Sequence, residues 1–248
     1  MEQTASCQIT LPTFQIFNFY WLCLGEFKIL HTFVKVQSCL KHELHNIISG
    51  KVEVRFGAII QAIAGHLSDG TQTGPKIEVT KQIREEEATR LEDFISENNL
   101  WASNNIDLSQ YVSEGAEQRV YLKDSEHVLK LNDAIYYSSW KSYFHNLLLH
   151  NFFFTDTAYD LKGFRKENDI LYAVVQQSYV AITRNTDLEQ VKAFLESNGF
   201  FNTRNNDYFN PELGIILEDL HDENVLTVND ILYFIDTVFY LTDEFWSP

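Results

Sequence analysis

Cysteine is scarce in this chain. Cys7, Cys23 and Cys39 are the whole complement, an odd number confined to the first forty residues. From residue 40 onward there is none, so no disulfide framework holds that part together. No CxxC or Cys/His pattern with zinc spacing exists either. A reducing, cytoplasmic setting is the expectation that follows. Basic charge is also short. The chain has 19 Lys and Arg against 35 Asp and Glu, a formal net charge of −16. Residues 1–107 carry 9 basic and 13 acidic side chains, while residues 108–248 carry 10 and 22. Such a surface repels phosphate backbones and argues against nucleic acid or an anionic membrane as partner. It accommodates basic partners and, where carboxylates converge, a divalent metal. The plainer reading is that the acids keep an aromatic-rich domain soluble. Long apolar runs are missing too. The richest, Phe14–Leu30, is broken by Asn18, Glu26 and Lys28, too short and interrupted for a membrane span. It lacks the basic lead and cleavage site of a signal peptide, and reads as a buried or partner-binding segment.

What is present is core material: 45% apolar and 14% aromatic residues in 248, enough for a packed interior. Residues 40–65 read as mixed helix, 66–76 as a turn-rich linker and Glu78–Asn98 as a helix with Ile83, Leu91, Phe94 and Ile95 on one stripe. After a connector containing Trp101 the period changes. Tyr111–Glu114, Gln118–Leu122 and His127–Leu131 read as three short strands joined by tight turns. Ala134–Phe154 reads as a long buried helix. Tyr159–Arg165 and Ile170–Val175 read as a hairpin, and Leu188–Asn198 as a helix capped by Asp187 and stopped at Gly199. Ile215–Leu217 and Ile231–Ile235 read as short apolar strands around an acidic loop. Asn202, Arg204, Asn205, Asn206 and Asp207 read as a solvated loop, and the Tyr136–Phe154 aromatics as core.

The segment Leu217-Glu218-Asp219-Leu220-His221-Asp222-Glu223-Asn224-Val225-Leu226 carries the strongest chemical signal. Apolar residues flank a turn holding four acids, a His and an Asn. Twelve residues after Asn224, Asp236 ends the apolar run Phe234-Ile235. Phosphoryl transfer from ATP needs Mg²⁺ held by hard oxygen ligands and a group that orients or deprotonates the acceptor hydroxyl. An Asp, an Asn five residues on, and an Asp closing the next strand meet that need. Asp219 and Asn224 are also turn-favouring residue types. Asp236 amid apolar neighbours is costly to bury without a partner. His221 reads as structural, and Asp222 and Glu223 as exposed loop acids.

Asp219-Leu220-His221 with Asn224 resembles the catalytic loop of the protein-kinase superfamily, in its aminoglycoside-phosphotransferase-like branch. The resemblance implies that Asp219 is the catalytic base, Asn224 a metal ligand, and Asp236 the metal-binding Asp of a motif that otherwise reads Thr237-Val238 here. Val128-Leu129-Lys130 resembles the lysine-bearing strand that contacts ATP phosphates, with Lys130 in that role. Gly115 stands at the turn where the superfamily carries its Gly-rich loop. Gln176 and Ser178 stand where a hinge binds adenine through backbone groups. The phrases Ser-Glu-Gly-Ala-Glu-Gln, Leu-Lys-Leu-Asn-Asp-Ala-Ile, Asn-Thr-Arg-Asn-Asn-Asp-Tyr and Glu-Asp-Leu-His-Asp-Glu-Asn-Val-Leu are similar to the kinase domain of polyvalent proteins, multidomain proteins of phages and conjugative mobile genetic elements. The resemblance covers residues 108–241.

It implies an α+β, protein-kinase-like fold: a small antiparallel-sheet lobe with one long helix and a truncated, mostly helical second lobe over residues 108–248. A mainly helical region of unknown role, residues 1–107, precedes it. ATP and Mg²⁺ are the implied cofactors, and the acceptor is an unidentified protein or small molecule. Kinases pair the strand lysine with a Glu on the following helix, but no Glu occurs between Glu126 and Glu167. The chain runs only twelve residues past Asp236, short of a usual activation segment and peptide platform. Three readings stay open: an active phosphotransferase, a pseudokinase-type binding module, and a small-molecule kinase.

Overall fold

The computed structural model describes residues 39–68, 78–102, 107–115 and 118–247. The Phe14–Leu30 segment and most of the 66–76 linker lie outside them. The described chain is a mixed α/β structure with antiparallel sheets. No described helix is long and apolar enough to cross a membrane.

Helix α1 covers 39–48, α2 Ala58–Ser68 and α3 Glu78–Glu97. Five strands follow: β1 Tyr111–Glu114, β2 Gln118–Leu122, β3 His127–Asn132, β4 Asp160–Glu167 and β5 Ile170–Ser178. They form one antiparallel sheet in the order β1-β2-β3-β5-β4. The β4–β5 turn is Asn168-Asp169, both at positive φ (48° and 65°). That is the backbone of a two-residue hairpin turn, and Asn and Asp tolerate it best after Gly. At the β4 edge, Phe164 exchanges backbone bonds with Leu100 and Ala102 (2.9 and 2.8 Å). Gly163, at φ 136°, permits this approach, since a Cβ there would sit 2.4 Å from the Leu100 carbonyl oxygen.

Helix α4, Trp140–Phe153, lies between β3 and β4 in sequence and is buried nearly all round. It starts six residues later than the sequence suggested. Ala134 is in the left-handed region (φ 56°), and the side chains of Asn132 and Asp133 bind the N–H groups of Ala134 and Ile135. These local turns compete with helix until Ser139 caps Ser142 N–H at 3.0 Å. Glu87 of α3 adds a second cap, accepting from Trp140 N–H at 2.9 Å. Phe144, Leu147 and Leu148 of α4 are at most 1% exposed; burial at that level is worth about 1.5–3 kcal/mol per side chain. Two buried amides of this helix are well partnered. Asn146 reaches Tyr137 and the backbone of Phe239, and Asn151 clamps Tyr159 by both its N–H and its carbonyl. One core cluster runs from α1–α3 through α4 to the last strands.

The remainder is mostly strand, which corrects the expected helical second lobe. It holds α5 Leu188–Ser197 and six short strands: β6 Phe201–Arg204, β7 Asp207–Asn210, β8 Ile215–Glu218, β9 Val225–Val228, β10 Ile231–Phe234 and β11 Val238–Leu241. The four-residue α6, Asp243–Trp246, ends the chain's described part. The polar run read as a loop is a hairpin, β6–β7, turning at Asn205 (φ 50°). Strands β11-β8-β7-β6 form a second sheet and β9–β10 a separate hairpin. Connections of two to six residues leave no length for helices here, and the alternating burial of Asp207–Asn210 and Ile215–Glu218 is the period of a half-buried strand.

Candidate active site

Hairpin register brings the acidic loop and Asp236 together. The β9–β10 turn is again Asn-Asp, Asn229-Asp230, at φ 48° and 64°. It fixes Phe234 opposite Val225, so the residues just beyond, Asn224 and Ile235, also meet: Ile235 N–H donates to the Asn224 carbonyl at 2.9 Å. On the other side β11 pairs with β8, with Val238 opposite Glu218. Asp219 and Thr237 therefore leave the sheet at the same end. Two strand pairings, only half visible in the sequence, thus gather Asp219, Asn224 and Asp236.

Within the loop Asp219 has φ 66°, a conformation Asp tolerates and β-branched residues do not. Its N–H donates to Asp207 Oδ1 and the next, Leu220 N–H, to the Asn206 carbonyl, both at 3.2 Å. The β6–β7 turn thus braces the loop, a role the sequence reading gave to none of its residues. Asn224 Nδ2 donates to the Asp219 carbonyl and to Asp219 Oδ2, each at 2.8 Å. His221 Nδ1 faces the Glu223 N–H at 3.2 Å, a pure donor. Its Nε2 lies 3.3 Å from Asp219 Oδ1 and 3.1 Å from Asn224 Nδ2. Partial burial raises the Asp219 carboxyl above the usual carboxylate range. His221 and Asn224 pull it back, while the charges of Asp236 and Asp207 push it up. Glu218 next to it is raised likewise, by burial first and then by Asp207.

Above this loop stands Lys130, in the middle of β3 between Val120 of β2 and Val175 of β5. It is 3% exposed. Its Nζ donates to the Ile235 carbonyl at 2.9 Å and lies 3.7 Å from Asp236 Oδ2. Burial lowers the ammonium and the Asp236 charge opposes that fall. Tyr159, at the head of β4, lies under Lys130 with 5.5 Å from Nζ to the ring centroid. Its hydroxyl donates to the Ile235 carbonyl at 2.9 Å and reaches Asp236 Oδ1 at 3.5 Å. Gln118 of β2 donates its side-chain amide to Asp236 Oδ2.

The other expected residues are dispersed. Gly115 sits exposed at the β1–β2 turn, its N–H bonded to the Gln118 carbonyl at 2.9 Å. Gln176 lies one residue out of phase with Val175, on the opposite sheet face from Lys130, and accepts from Lys123 at 2.5 Å. Ser178 ends β5, exposed. The residue of this stretch on the Lys130 face is Gln177, 2% exposed and bonded to the Thr157 carbonyl at 2.7 Å. Tyr159, Gln118, Gln177 and Asp207 were not picked out from sequence. A buried Tyr in an aromatic run carries no local mark of a polar role.

Among the described residues no cluster of three or more His, Cys, Asp or Glu is set to hold a metal. The oxygen donors available are Asp236 and the Asn224 amide oxygen, which takes none of the bonds made by that amide's nitrogen. Mg²⁺ suits such a place, because it keeps water and substrate phosphates as most of its ligands.

A buried strand lysine set against an Asp–Asn loop and a second Asp is the arrangement of a kinase-like protein. Consistent with it, residues 84–243 match the family described as Serine/Threonine/Tyrosine Kinase found in polyvalent proteins. The chain belongs to that family. No curated protein and no solved structure matches it.

Proposed function

We propose that the chain is an ATP- and Mg²⁺-dependent phosphotransferase whose acceptor is an alcohol group on a protein or small molecule. The observation that carries this reading is the meeting of Lys130 Nζ with the Ile235–Asp236 corner, 2.9 Å from the Ile235 carbonyl and 3.7 Å from Asp236, over the Asp219–Asn224 loop. The five-stranded sheet with α4 is the nucleotide-binding lobe, closed at its hinge by the backbone of Gln176–Ser178 and at its tip by the turn at Gly115.

Lys130, almost wholly buried, binds the α- and β-phosphates through its single charge. Asp236 and the Asn224 amide oxygen would hold Mg²⁺, which when bound neutralises charge on the transferring group. Asp219 takes the acceptor proton on Oδ1 or Oδ2. His221 and Asn224 aim that carboxylate, and its raised pKa makes it a stronger base than an ordinary aspartate. Most of the acceleration comes from positioning and preorganised charge.

The test is paired. Asp219→Asn should keep ATP binding, read as a thermal shift that requires Mg²⁺, and abolish phosphate transfer. Unchanged turnover in that variant would remove Asp219 from the chemistry. A second reading, nucleotide binding without turnover, draws on the Gln118–Asp236 contact, which engages the oxygen a metal needs. Wild type that binds Mg·ATP and transfers phosphate to neither peptides nor small alcohols would favour it.

A further inference from the structure

Helix α4 contains no acidic residue in its fourteen positions, so the buried Lys130 has no carboxylate from that helix. The structure offers something else at the same place. Four consecutive residues, Phe234 to Thr237, are each held by a side chain from the end of α4 or the start of β4. Thr157 Oγ1 donates to the Phe234 carbonyl. The Tyr159 hydroxyl donates to the Ile235 carbonyl at 2.9 Å and approaches Asp236 Oδ1 at 3.5 Å. His150 Nδ1 meets Thr237 Oγ1 at 2.7 Å. We infer that His150, Thr157 and Tyr159 are positioning residues: an uncharged hydrogen-bond strap that fixes the 234–237 backbone and turns Asp236 toward Lys130, where a carboxylate on α4 would otherwise hold the lysine. The inference rests on the phosphotransferase reading for its purpose, though not for its geometry.

The protonation pattern follows from the partners. His150 Nε2 faces the Thr157 carbonyl at 3.0 Å, which can only accept. The ring proton is therefore on Nε2, and Nδ1 accepts from the Thr237 hydroxyl. Gln177 donates to the same Thr157 carbonyl at 2.7 Å, so that oxygen uses both lone pairs. His150, Thr157 and Thr237 are 0, 2 and 1% exposed and Tyr159 3%. Away from water each of these neutral bonds is strong. Burial keeps the imidazole uncharged beside Lys130, its pKa lowered to about 3. A charged ring there would repel the ammonium. A helix carboxylate would hold the lysine by charge. This strap orders the Asp236 segment and leaves Lys130 with the Ile235 carbonyl, Asp236 and the face of Tyr159, so the ammonium can turn to phosphate.

The experiment uses the full chain. Histidine ring ¹⁵N shifts at neutral pH should show His150 as the neutral Nε2–H form, with the Nδ1 signal displaced in Thr237→Val. ADP binding is then measured with and without Mg²⁺. Thr237→Val should keep Mg²⁺-free ADP affinity and lose about tenfold of the Mg²⁺-dependent gain, as loss of one buried hydrogen bond predicts; Thr237→Ser should restore it. If Thr237→Val does not fold, Tyr159→Phe, which keeps the ring under Lys130, should show the same selective loss. A proton on Nδ1, or an unchanged Mg²⁺ dependence in the folded variants, overturns the strap. If wild type binds no nucleotide at all, the phosphotransferase reading falls, and the ring shifts still decide whether the strap exists.

Discussion

Lys130→Met separates the lysine's function from its contribution to stability. The ammonium is 3% exposed and its desolvation is opposed by one carbonyl at 2.9 Å and one carboxylate at 3.7 Å. Taking an ammonium out of water costs several kcal/mol even after relaxation, and a loose pair does not return all of it. Removing one partner of a buried pair is damaging when the other charge is stranded. Asp236 is not stranded: its side chain is 33% exposed, and Gln118 and Tyr159 still reach it. The Ile235 carbonyl keeps the Tyr159 hydroxyl. Methionine fills most of the volume with no charge to bury. The variant should therefore be as stable as wild type or more so, by up to about 3 kcal/mol, in equilibrium urea unfolding without nucleotide. With Mg·ATP at about a hundred times its dissociation constant, wild type should gain about 2.7 kcal/mol and the variant nothing. A loss above about 2 kcal/mol in the nucleotide-free variant would refute the energetic argument. A retained Mg·ATP shift would take Lys130 off the phosphates.

Four other outcomes follow from the same structure. Because the Asp219 carboxyl is raised, it is protonated at higher pH than an ordinary aspartate. The acid limb of kcat should accordingly lie above the usual carboxylate range and move down when Asp207→Asn removes one of the charges raising it; a pH–rate profile checks this. Glu87→Ala leaves the Trp140 N–H without its acceptor inside the core. The loss should be about 1–3 kcal/mol, read as a lowered urea midpoint. Glu87 is also raised by burial, so folding binds a proton there. Stability from this group is full at acid pH and falls as pH rises through its folded value, a slope that Glu87→Gln should remove. Gly163→Ala forces a Cβ onto the Leu100 carbonyl at φ 136° and should cost about 1–3 kcal/mol from strain alone, with exchange of the Ala102 and Phe164 amides accelerated.

The residues proposed to react stood out in the sequence by their apolar flanks and spacing. Val128-Leu129 leads to Lys130 and Phe234-Ile235 to Asp236, while Asp219 and Asn224 keep their five-residue spacing inside a flanked turn. The Asn168-Asp169 hairpin was readable from its turn chemistry. Strands β9 and β11 were not: four-residue strands such as Val225–Val228 carry too few positions for a period to register. The helix start was misjudged because apolar Ala134–Tyr137 look helical, while the side chains that hold them in turns lie just before, at Asn132 and Asp133. The support around Asp236 was invisible for another reason. Gln118, Tyr159 and Asp236 are 118 and 77 residues apart in sequence, and nothing local in an aromatic-rich run announces which Tyr or His will meet a backbone carbonyl.

The amide of Gln118 on Asp236 gives the resting protein an internal competitor. Any cation that takes Asp236 Oδ2 must first displace a side chain anchored in β2, the strand next to the one carrying Lys130. Measured affinity then equals intrinsic affinity reduced by the fraction of molecules in which that contact is open. A contact closed about nine-tenths of the time weakens apparent binding about tenfold. On the proposed metal role of Asp236, occupancy of the site and release of Gln118 become one event.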